Sequence, residues 1–182
     1  MGKSCRVVRR AAVRSGEAPG CPGLLGSRRR RVKILIADDD REVHTVTRLV
    51  LRDFQFDGLG LQFFSAFSAA ETCEIMREHP DMAMLLLDMV METETSGIEV
   101  ARFVRETLEN HLVRIILRTG QPGQAPENQL IARYDINDYK EKTELTARKL
   151  FTVVTAFIWS FRDLQTVERA RRGLAQIVKS SG

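Results

Sequence analysis

The sequence has little of several features that mark specialised classes of protein. Its 182 residues include three cysteines, five prolines and one tryptophan. Cys5, Cys21 and Cys73 are odd in number, widely spaced and without a C-x-x-C pair, which argues against a disulfide framework or a zinc site and favours a reducing cytoplasm. The longest apolar run, residues 82–87, is far shorter than the roughly 20 residues that cross a bilayer, so no membrane span is expected.

Acidic residues are almost absent from the first 31 residues, which hold nine basic side chains and one acidic side chain, Glu17. This segment therefore carries +8, and the net charge of +4 for the whole chain leaves the other 151 residues at −4. Its Arg, Gly, Ser and Pro residues show no periodicity, which predicts a disordered basic arm over residues 1–31. Weak binding of polyanions and a faint similarity to organelle transit peptides are alternatives for the arm. Because residues 32–182 are acidic overall, the basic isoelectric point of the whole chain gives no reason to expect a nucleic-acid partner.

Short apolar runs alternate with helical patterns from residue 32 onward. The predicted strands are residues 32–37, 61–67, 82–87, 113–117 and 135–140. Strands that alternate with helices form a doubly wound sheet, because right-handed crossovers place helices on both of its faces. The fold class expected is therefore α/β, with a five-stranded parallel sheet and ligand chemistry at the carboxyl ends of its strands.

Apolar spacings of three and four residues predict the inward faces of the helices. For the first helix these are Val43, Val46, Val50 and Phe54. Two capping boxes, Ser68 with Glu71 and Ser96 with Glu99, predict where the next two helices begin. Their inward residues are expected to be Ala69, Cys73 and Met76 in one helix and Ile98, Ala101, Val104 and Leu108 in the other. His44, His79 and His111 share no spacing and are interpreted as surface or helix-end residues.

Polar or charged side chains follow four of the five predicted strands. They are Asp38, Asp39 and Asp40, then Asp88, Thr119 and Lys142. Carboxylates gathered at one edge raise each other's pKa, so such a cluster favours a hard divalent cation such as Mg²⁺. A lysine and a hydroxyl beside the metal would surround an anionic group on Asp88, which is the arrangement that phosphoryl transfer requires. Taken singly, the Asp triplet could cap a helix, Thr119 could end a strand and Lys142 could be a surface cation.

Together these residues resemble the response-regulator receiver domain of two-component signalling, which has a flavodoxin-like fold. The resemblance covers residues 32–143 and rests on five segments: Ile36–Asp40, Leu86–Met91, Gly97, Leu117–Gly120 and Tyr139–Lys142. It implies that Asp88 accepts the phosphoryl group and that Asp38, Asp39, Asp88 and the backbone carbonyl of Val90 hold Mg²⁺. It further implies that Thr119 and Tyr139 are switch residues and that Lys142 pairs with the phosphoryl oxygens. A histidine kinase or a phosphotransfer protein is the implied donor.

Residues 117–127 and 134–146 resemble one subgroup, in which the receiver precedes a sensor-like linker and often an HD-GYP cyclic-di-GMP phosphodiesterase. No HD pair occurs in this chain, so such an output domain is expected beyond residue 182, and no enzyme activity is expected other than gain and loss of the chain's own phosphoryl group. Three departures from the family stand out. Thr143 replaces the usual proline after Lys142. Glu92 replaces the common proline after Met91, and Gly97 comes one residue late, which together predict a longer loop after Asp88.

A helical pattern continues from residue 145 to about residue 179, longer than a receiver needs. The first part of its apolar seam has 4-3-4-3 spacing and consists of Leu150, Val154, Phe157, Phe161 and Leu164. The seam then shifts to Val167, Ala170, Leu174 and Ile177. We expect a receiver over residues 32–160 and a helical linker over 161–182 that forms a homodimer and signals to an output domain in cis. The alternative is that the first half packs on the sheet and the rest is a solvated linker.

Two other functions compete with a phosphorylated cytoplasmic switch. A receiver-like interaction module that works without phosphorylation would retain the fold but not the chemistry. An aspartyl-phosphate hydrolase would need a second carboxylate two residues after Asp88, where Val90 stands instead. The complete set of acids together with Lys142 favours the phosphorylated switch.

Overall fold

The computed structural model describes residues 31–120, 128–142 and 146–180. The predicted basic arm lies outside the described residues except for Arg31, and so do the loop after Gly120 and the departure at Thr143. Within the described ranges, no helix is long and apolar enough to span a membrane.

The described strands form one six-stranded sheet in the order β2-β3-β1-β4-β5-β6. The strands are β1 (Val32–Ala37), β2 (Gln55–Phe56), β3 (Leu59–Ala66), β4 (Met84–Asp88), β5 (Arg114–Thr119) and β6 (Asp138–Glu141). Five of them pair in parallel, which confirms the predicted class. The sixth, β2, pairs antiparallel with β3 and was not predicted. Asp57 and Gly58 join these two strands with φ of 51° and 73°, and an Asp-Gly pair is a strong sequence signal for such a hairpin.

Helices cover both faces of the sheet, as expected for a doubly wound fold. They are α1 (Arg41–Val50), α2 (Ala69–Glu78), α3 (Ser96–Arg102) with a π-helical turn (Phe103–Thr107), α4 (Asn128–Arg133) and α5 (Ala147–Ser180). One core lies under α2, α3 and α4 and includes Leu85, Leu87 and Leu117. The other lies under α1 and α5 and includes Ile34, Ile36 and Ile116. Strand residues that alternate between the two cores are fully buried, which explains the uninterrupted apolar runs of β1 and β4.

The predicted inward face of α1 is confirmed in part. Phe54 is buried and Val50 is partly buried, but Val46 is 56% exposed, and His44, Thr47 and Leu51 are buried instead. The interpretation of His44 as a surface or helix-end residue is also wrong, because it lies inside α1 and is only 5% exposed. The physical reason is that this face of α1 covers the polar end of β1, where buried backbone and charged groups need hydrogen-bonding partners more than apolar contacts.

The two capping boxes have different outcomes. Ser68 caps α2, since its Oγ accepts a hydrogen bond from the Glu71 N–H at 3.1 Å, and Glu71 accepts one from the Phe67 N–H. Helix α3 instead begins after Thr95, one residue earlier than predicted. The Ser96 hydroxyl is buried and bonds within the preceding loop, to Thr93, so it is not available as the cap.

Helix α5 is 34 residues long, and its first half packs on the sheet. Leu150, Val154, Ile158 and Phe161 are buried there, while Phe157 of the predicted seam is only partly buried. Beyond Leu164, the residues of the shifted seam are exposed, with Val167 at 65% and Leu174 at 66%. The structure thus places the two halves of α5 in different environments.

Candidate functional site

Three carboxylates meet at the carboxyl edge of the sheet. Asp38 and Asp39 directly follow β1, and Asp88 is the last residue of β4. These strands are neighbours in the sheet, and the three residues offer oxygen atoms that all lie within 4.8 Å of one another. Asp38 and Asp88 are almost completely buried, at 0% and 3% exposure, whereas Asp39 is exposed. The fold thus assembles an acidic cluster that is open to solvent on the side of Asp39.

Lys142 directly follows β6 and supplies a cation to this cluster. Its Nζ lies 2.8 Å from Asp88 Oδ2 and 3.1 Å from Asp38 Oδ2. Burial by itself lowers the pKa of Lys142, but the hydrogen bond to Asp88 and the charges of Asp38 and Asp88 outweigh burial and raise that pKa above its usual value. The ammonium group is therefore charged at neutral pH and binds both buried carboxylates.

Asp88 is in an unfavourable environment for an anion. Burial raises its pKa, and the charge of Asp38 adds to this effect, although the hydrogen bond from Lys142 acts in the opposite direction. Its Oδ1 is buried and accepts no hydrogen bond from the part of the chain that the structure describes. Carboxylate oxygens at this spacing are the ligands that Mg²⁺ prefers, and a divalent cation would offset the repulsion among the acids. The residues present therefore fit the predicted magnesium ion.

Thr119 and Tyr139 lie on β5 and β6, the two strands that follow β4 in the sheet. Thr119 is the last residue of β5 and is fully buried. Tyr139 lies in β6, packs against the core under α2, α3 and α4, and has a buried hydroxyl without a hydrogen-bond partner among the described residues. A buried hydroxyl without a hydrogen bond destabilises the fold, so a movement of the ring that gave the hydroxyl a partner would lower the free energy.

The loop after Asp88 is held close to the site by backbone contacts. Met89 donates to the Arg118 carbonyl at 2.8 Å, and Gly97 donates to the Met89 carbonyl at 3.0 Å. A Cβ atom at Gly97 would lie 2.5 Å from the Asp88 carbonyl oxygen, so only glycine fits there. Val90 lies in this loop and is partly buried. Glu92 fastens the loop to α2 by accepting the Ala69 N–H at 2.8 Å.

Arg118 is a site residue for which no role was predicted. It is 3% exposed, with Nη2 at 3.3 Å from Asp38 Oδ2 and Nη1 at 3.4 Å from the Thr47 hydroxyl. Burial lowers the pKa of its guanidinium, whereas the charges of Asp38 and Asp88 act to raise it. The sequence feature that could have indicated this role is the position of Arg118 beside Thr119 at the end of a buried strand, because a buried arginine requires an anionic partner.

His44 of α1 contacts the backbone of the acidic cluster. Its Nε2 lies 2.8 Å from the Asp38 carbonyl oxygen, which can only accept, so Nε2 carries a proton. Its Nδ1 lies 2.7 Å from the Ser65 hydroxyl, and the oxygen of this hydroxyl accepts a hydrogen bond from Arg48 at 2.9 Å. Helix α1 thereby fixes the backbone of the first acidic residue through a buried imidazole.

Comparisons with known proteins bear on the fold of the chain. No family model matches the chain. The chain is 45% identical over 148 residues to 3'3'-cGAMP-specific phosphodiesterase 2 of Vibrio cholerae, a match that covers 81% of this chain but only 28% of that protein. The chain thus spans less than a third of that curated relative.

Several solved structures with similar folds come from response regulators or chemotaxis proteins. A CheY-like response regulator receiver domain protein from Methanospirillum hungatei is 22% identical with a TM-score of 0.58, covering 74% of this chain and 99% of that one. The N-terminal domain of a response regulator/sensory box/GGDEF protein from Carboxydothermus hydrogenoformans is 18% identical with a TM-score of 0.60, covering 72% and 97%. Chemotaxis protein CheY4 of Vibrio cholerae is 18% identical with a TM-score of 0.58, covering 70% and 99%. The described part of this chain therefore has the CheY-like receiver fold.

Proposed function

We propose that this chain is the phosphoacceptor receiver domain of a two-component response regulator in the cytoplasm. The observation that carries the proposal is the meeting of Asp38, Asp39 and Asp88 at one edge of the sheet, with Lys142 2.8 Å from Asp88. A buried carboxylate flanked by two others and by an ammonium group is suited to receive a phosphoryl group, because negative charge that builds up on the phosphoryl oxygens meets a fixed positive charge.

Asp88 is the nucleophile in this proposal. One of its carboxylate oxygens attacks the phosphorus of a phosphohistidine on a kinase or phosphotransfer protein, an O–P bond forms, and the N–P bond breaks with its electron pair going to the imidazole nitrogen, which takes up a proton. Lys142 already contacts Asp88 and can pair with the phosphoryl oxygens without a large movement. Burial raises the pKa of Asp88, so transfer should slow as acid protonates this carboxylate at a pH above 3.8, the usual value for aspartate.

Asp38, Asp39, Asp88 and the Val90 carbonyl would hold Mg²⁺ in this site. When bound, the ion supplies positive charge opposite the phosphoryl oxygens. The arrangement of the chain's own residues supports this assignment, since Asp39 is exposed on the open side of the cluster and Asp88 Oδ1 has no competing donor among the described residues.

Thr119 and Tyr139 are the switch residues in this proposal. Thr119 is placed at the end of β5 so that its hydroxyl can follow the new phosphoryl group, and Tyr139 can then move, which would relieve the unfavourable burial of its hydroxyl. The change would reach an output domain in cis through α5. Because the Vibrio cholerae relative is a 3'3'-cGAMP-specific phosphodiesterase, we propose a cyclic-dinucleotide phosphodiesterase as that output.

Phosphorylation of Asp88 is tested with acetyl phosphate and Mg²⁺. Intact-mass spectrometry should show one added phosphoryl group on the wild-type chain and none on Asp88→Asn. Asp81→Asn is the matched control, because Asp81 is an exposed acid that pairs with Lys33 at the other end of the sheet. A wild-type chain that takes up no phosphoryl group would point instead to an interaction module that works without phosphorylation, and a label retained by Asp88→Asn would show that another residue is the acceptor.

The exposed half of α5 supports a homodimer. Val167, Leu174 and Ile177 are each more than 60% exposed, and with Ala170 they have the 3-4-3 spacing of a coiled-coil seam. Leu174→Glu should weaken self-association by about 100-fold, since it removes one buried leucine from each chain and places two like charges together. Analytical ultracentrifugation measures this, with Ala175→Glu, a neighbour outside the seam, as the control. Equal association constants for the two variants would exclude this seam as the interface.

A further inference from the structure

Arg118 is a buried cation directly beneath the acidic cluster, and the proposed chemistry does not use it. Its guanidinium lies between Asp38 Oδ2, at 3.3 Å, and the Thr47 hydroxyl of α1, at 3.4 Å. It is 3% exposed, and its Nε has no hydrogen-bond partner among the described residues. A buried charge with incomplete hydrogen bonding is unfavourable unless nearby anions compensate for it.

Asp38 does not need Arg118 for its orientation. Lys142 Nζ lies 3.2 Å from Asp38 Oδ1 and 3.1 Å from Oδ2, and the Asp40 N–H donates to Oδ1 at 3.0 Å. These contacts would still fix the carboxylate after removal of the guanidinium. What Arg118 adds to the site is therefore mainly its charge.

The charge balance of the site depends on Arg118. Three carboxylates with Lys142 alone would carry −2, and Arg118 brings this to −1. A phosphoryl group on Asp88 carries a charge of about −2, so that with Asp38 and Asp39 the anionic charge is about −4. Lys142, Arg118 and one divalent cation together supply +4, so the phosphorylated site is neutral only with Arg118 in place.

We propose that Arg118 is a fixed internal counter-ion that holds the divalent-cation affinity of the unphosphorylated site low and balances the charge of the phosphorylated one. This inference rests on the proposed function, because it assigns Arg118 to the same metal and phosphoryl site. Arg118 contacts Asp38 and acts through its charge, and in this proposal it does not itself touch the phosphoryl group.

The test measures binding of Mn²⁺ to the unphosphorylated chain by the electron paramagnetic resonance signal of the free ion. Arg118→Met removes the charge and should tighten Mn²⁺ binding about tenfold or more, because a unit charge several ångströms from a divalent ion in a partly buried site is worth at least that factor. Arg118→Lys keeps the charge and should bind within about threefold of wild type. Thr47→Val removes the contact on the far side of the guanidinium and should leave the affinity unchanged.

The outcomes separate this inference from the proposed function. A wild-type chain that binds no Mn²⁺ would count against both the magnesium site and the role of Arg118. If the wild-type chain binds Mn²⁺ and the folded Arg118→Met variant binds it equally or more weakly, the counter-ion role is wrong and the magnesium site stands. Arg118→Gln is a second neutral variant that can still donate to Asp38. Failure of both neutral variants to fold, with Arg118→Lys folded, would assign Arg118 to stability and overturn the inference.

Discussion

Replacing Arg105 with methionine is expected to lower the free energy of unfolding by about 3–5 kcal/mol. Arg105 lies in the π-helical turn, is 4% exposed, and donates to four backbone carbonyls. These belong to Asn110, Val113, Tyr134 and Asp135. Burial lowers its pKa to about 10, so the guanidinium stays charged at neutral pH. Its removal leaves several carbonyls without their donor, and each buried unpaired carbonyl destabilises the fold by about 1–3 kcal/mol.

Urea denaturation followed by circular dichroism measures this loss. Arg133→Met is the matched control, because Arg133 is also an arginine with an acidic partner, Glu106 at 3.3 Å, but its side chain is 66% exposed. An exposed ion pair contributes little, so the control should change stability by less than about 1 kcal/mol. A loss of less than about 1 kcal/mol for Arg105→Met would mean that water replaces the guanidinium as the donor.

The parallel sheet and the position of the acids could be predicted from the sequence because both depend on local signals. Strands buried on both faces give uninterrupted apolar runs, and the first polar residue after each run marks the edge where ligands bind. Asp38, Asp88 and Lys142 are such residues, and the structure brings all three together. The hairpin at Asp57 and Gly58 was not predicted, although its two-residue turn is a local signal of the same kind.

Buried polar groups could not be predicted in the same way. His44 and Thr47 read as the solvent side of α1 because periodicity assigns polar residues to the surface. Both are buried because Asp38 and Arg118 need partners there. Arg118 is 71 residues from Thr47 and 80 residues from Asp38 in the sequence. Arg105 was missed for the same reason, since its acceptors lie up to 30 residues away. Single-residue patterns carry no information on such long-range pairing.

The site and its surroundings differ in how their charges are compensated. Arg105 binds carbonyls whose positions are fixed by the fold, so it contributes to stability. Asp88 has a raised pKa, one buried oxygen without a partner among the described residues, and a neighbouring carboxylate in Asp38. A carboxylate in this environment gains from binding a cation or a phosphoryl group, so loss of its direct contact with Lys142 should have a large effect on the chemistry.

Lys142→Met should slow phosphorylation of Asp88 by about 100-fold, the typical effect of removing one donor that stabilises charge in the transition state. Lys142 Nζ donates to Asp88 Oδ2 at 2.8 Å, and its raised pKa keeps the ammonium charged across the neutral range. Without it, the pKa of Asp88 should rise further, because the hydrogen bond that opposes burial is lost and Asp38 remains. Fewer molecules would then hold the ionised nucleophile, and the phosphoryl oxygens would lack their cation.

Single-turnover phosphorylation by acetyl phosphate, measured by intact mass at several pH values, distinguishes these two contributions. Higher pH should restore only the part of the rate lost through protonation of Asp88, and the remaining loss is the missing charge stabilisation. Lys140→Met is the matched control, because Lys140 lies two residues earlier on β6 and pairs at 3.3 Å with Asp138, which is not part of the acidic cluster. Its rate should stay within about threefold of wild type. If the two lysine variants slow phosphorylation equally, the 2.8 Å contact with Asp88 has no role in the transfer, and general loss of positive charge at this edge explains the effect.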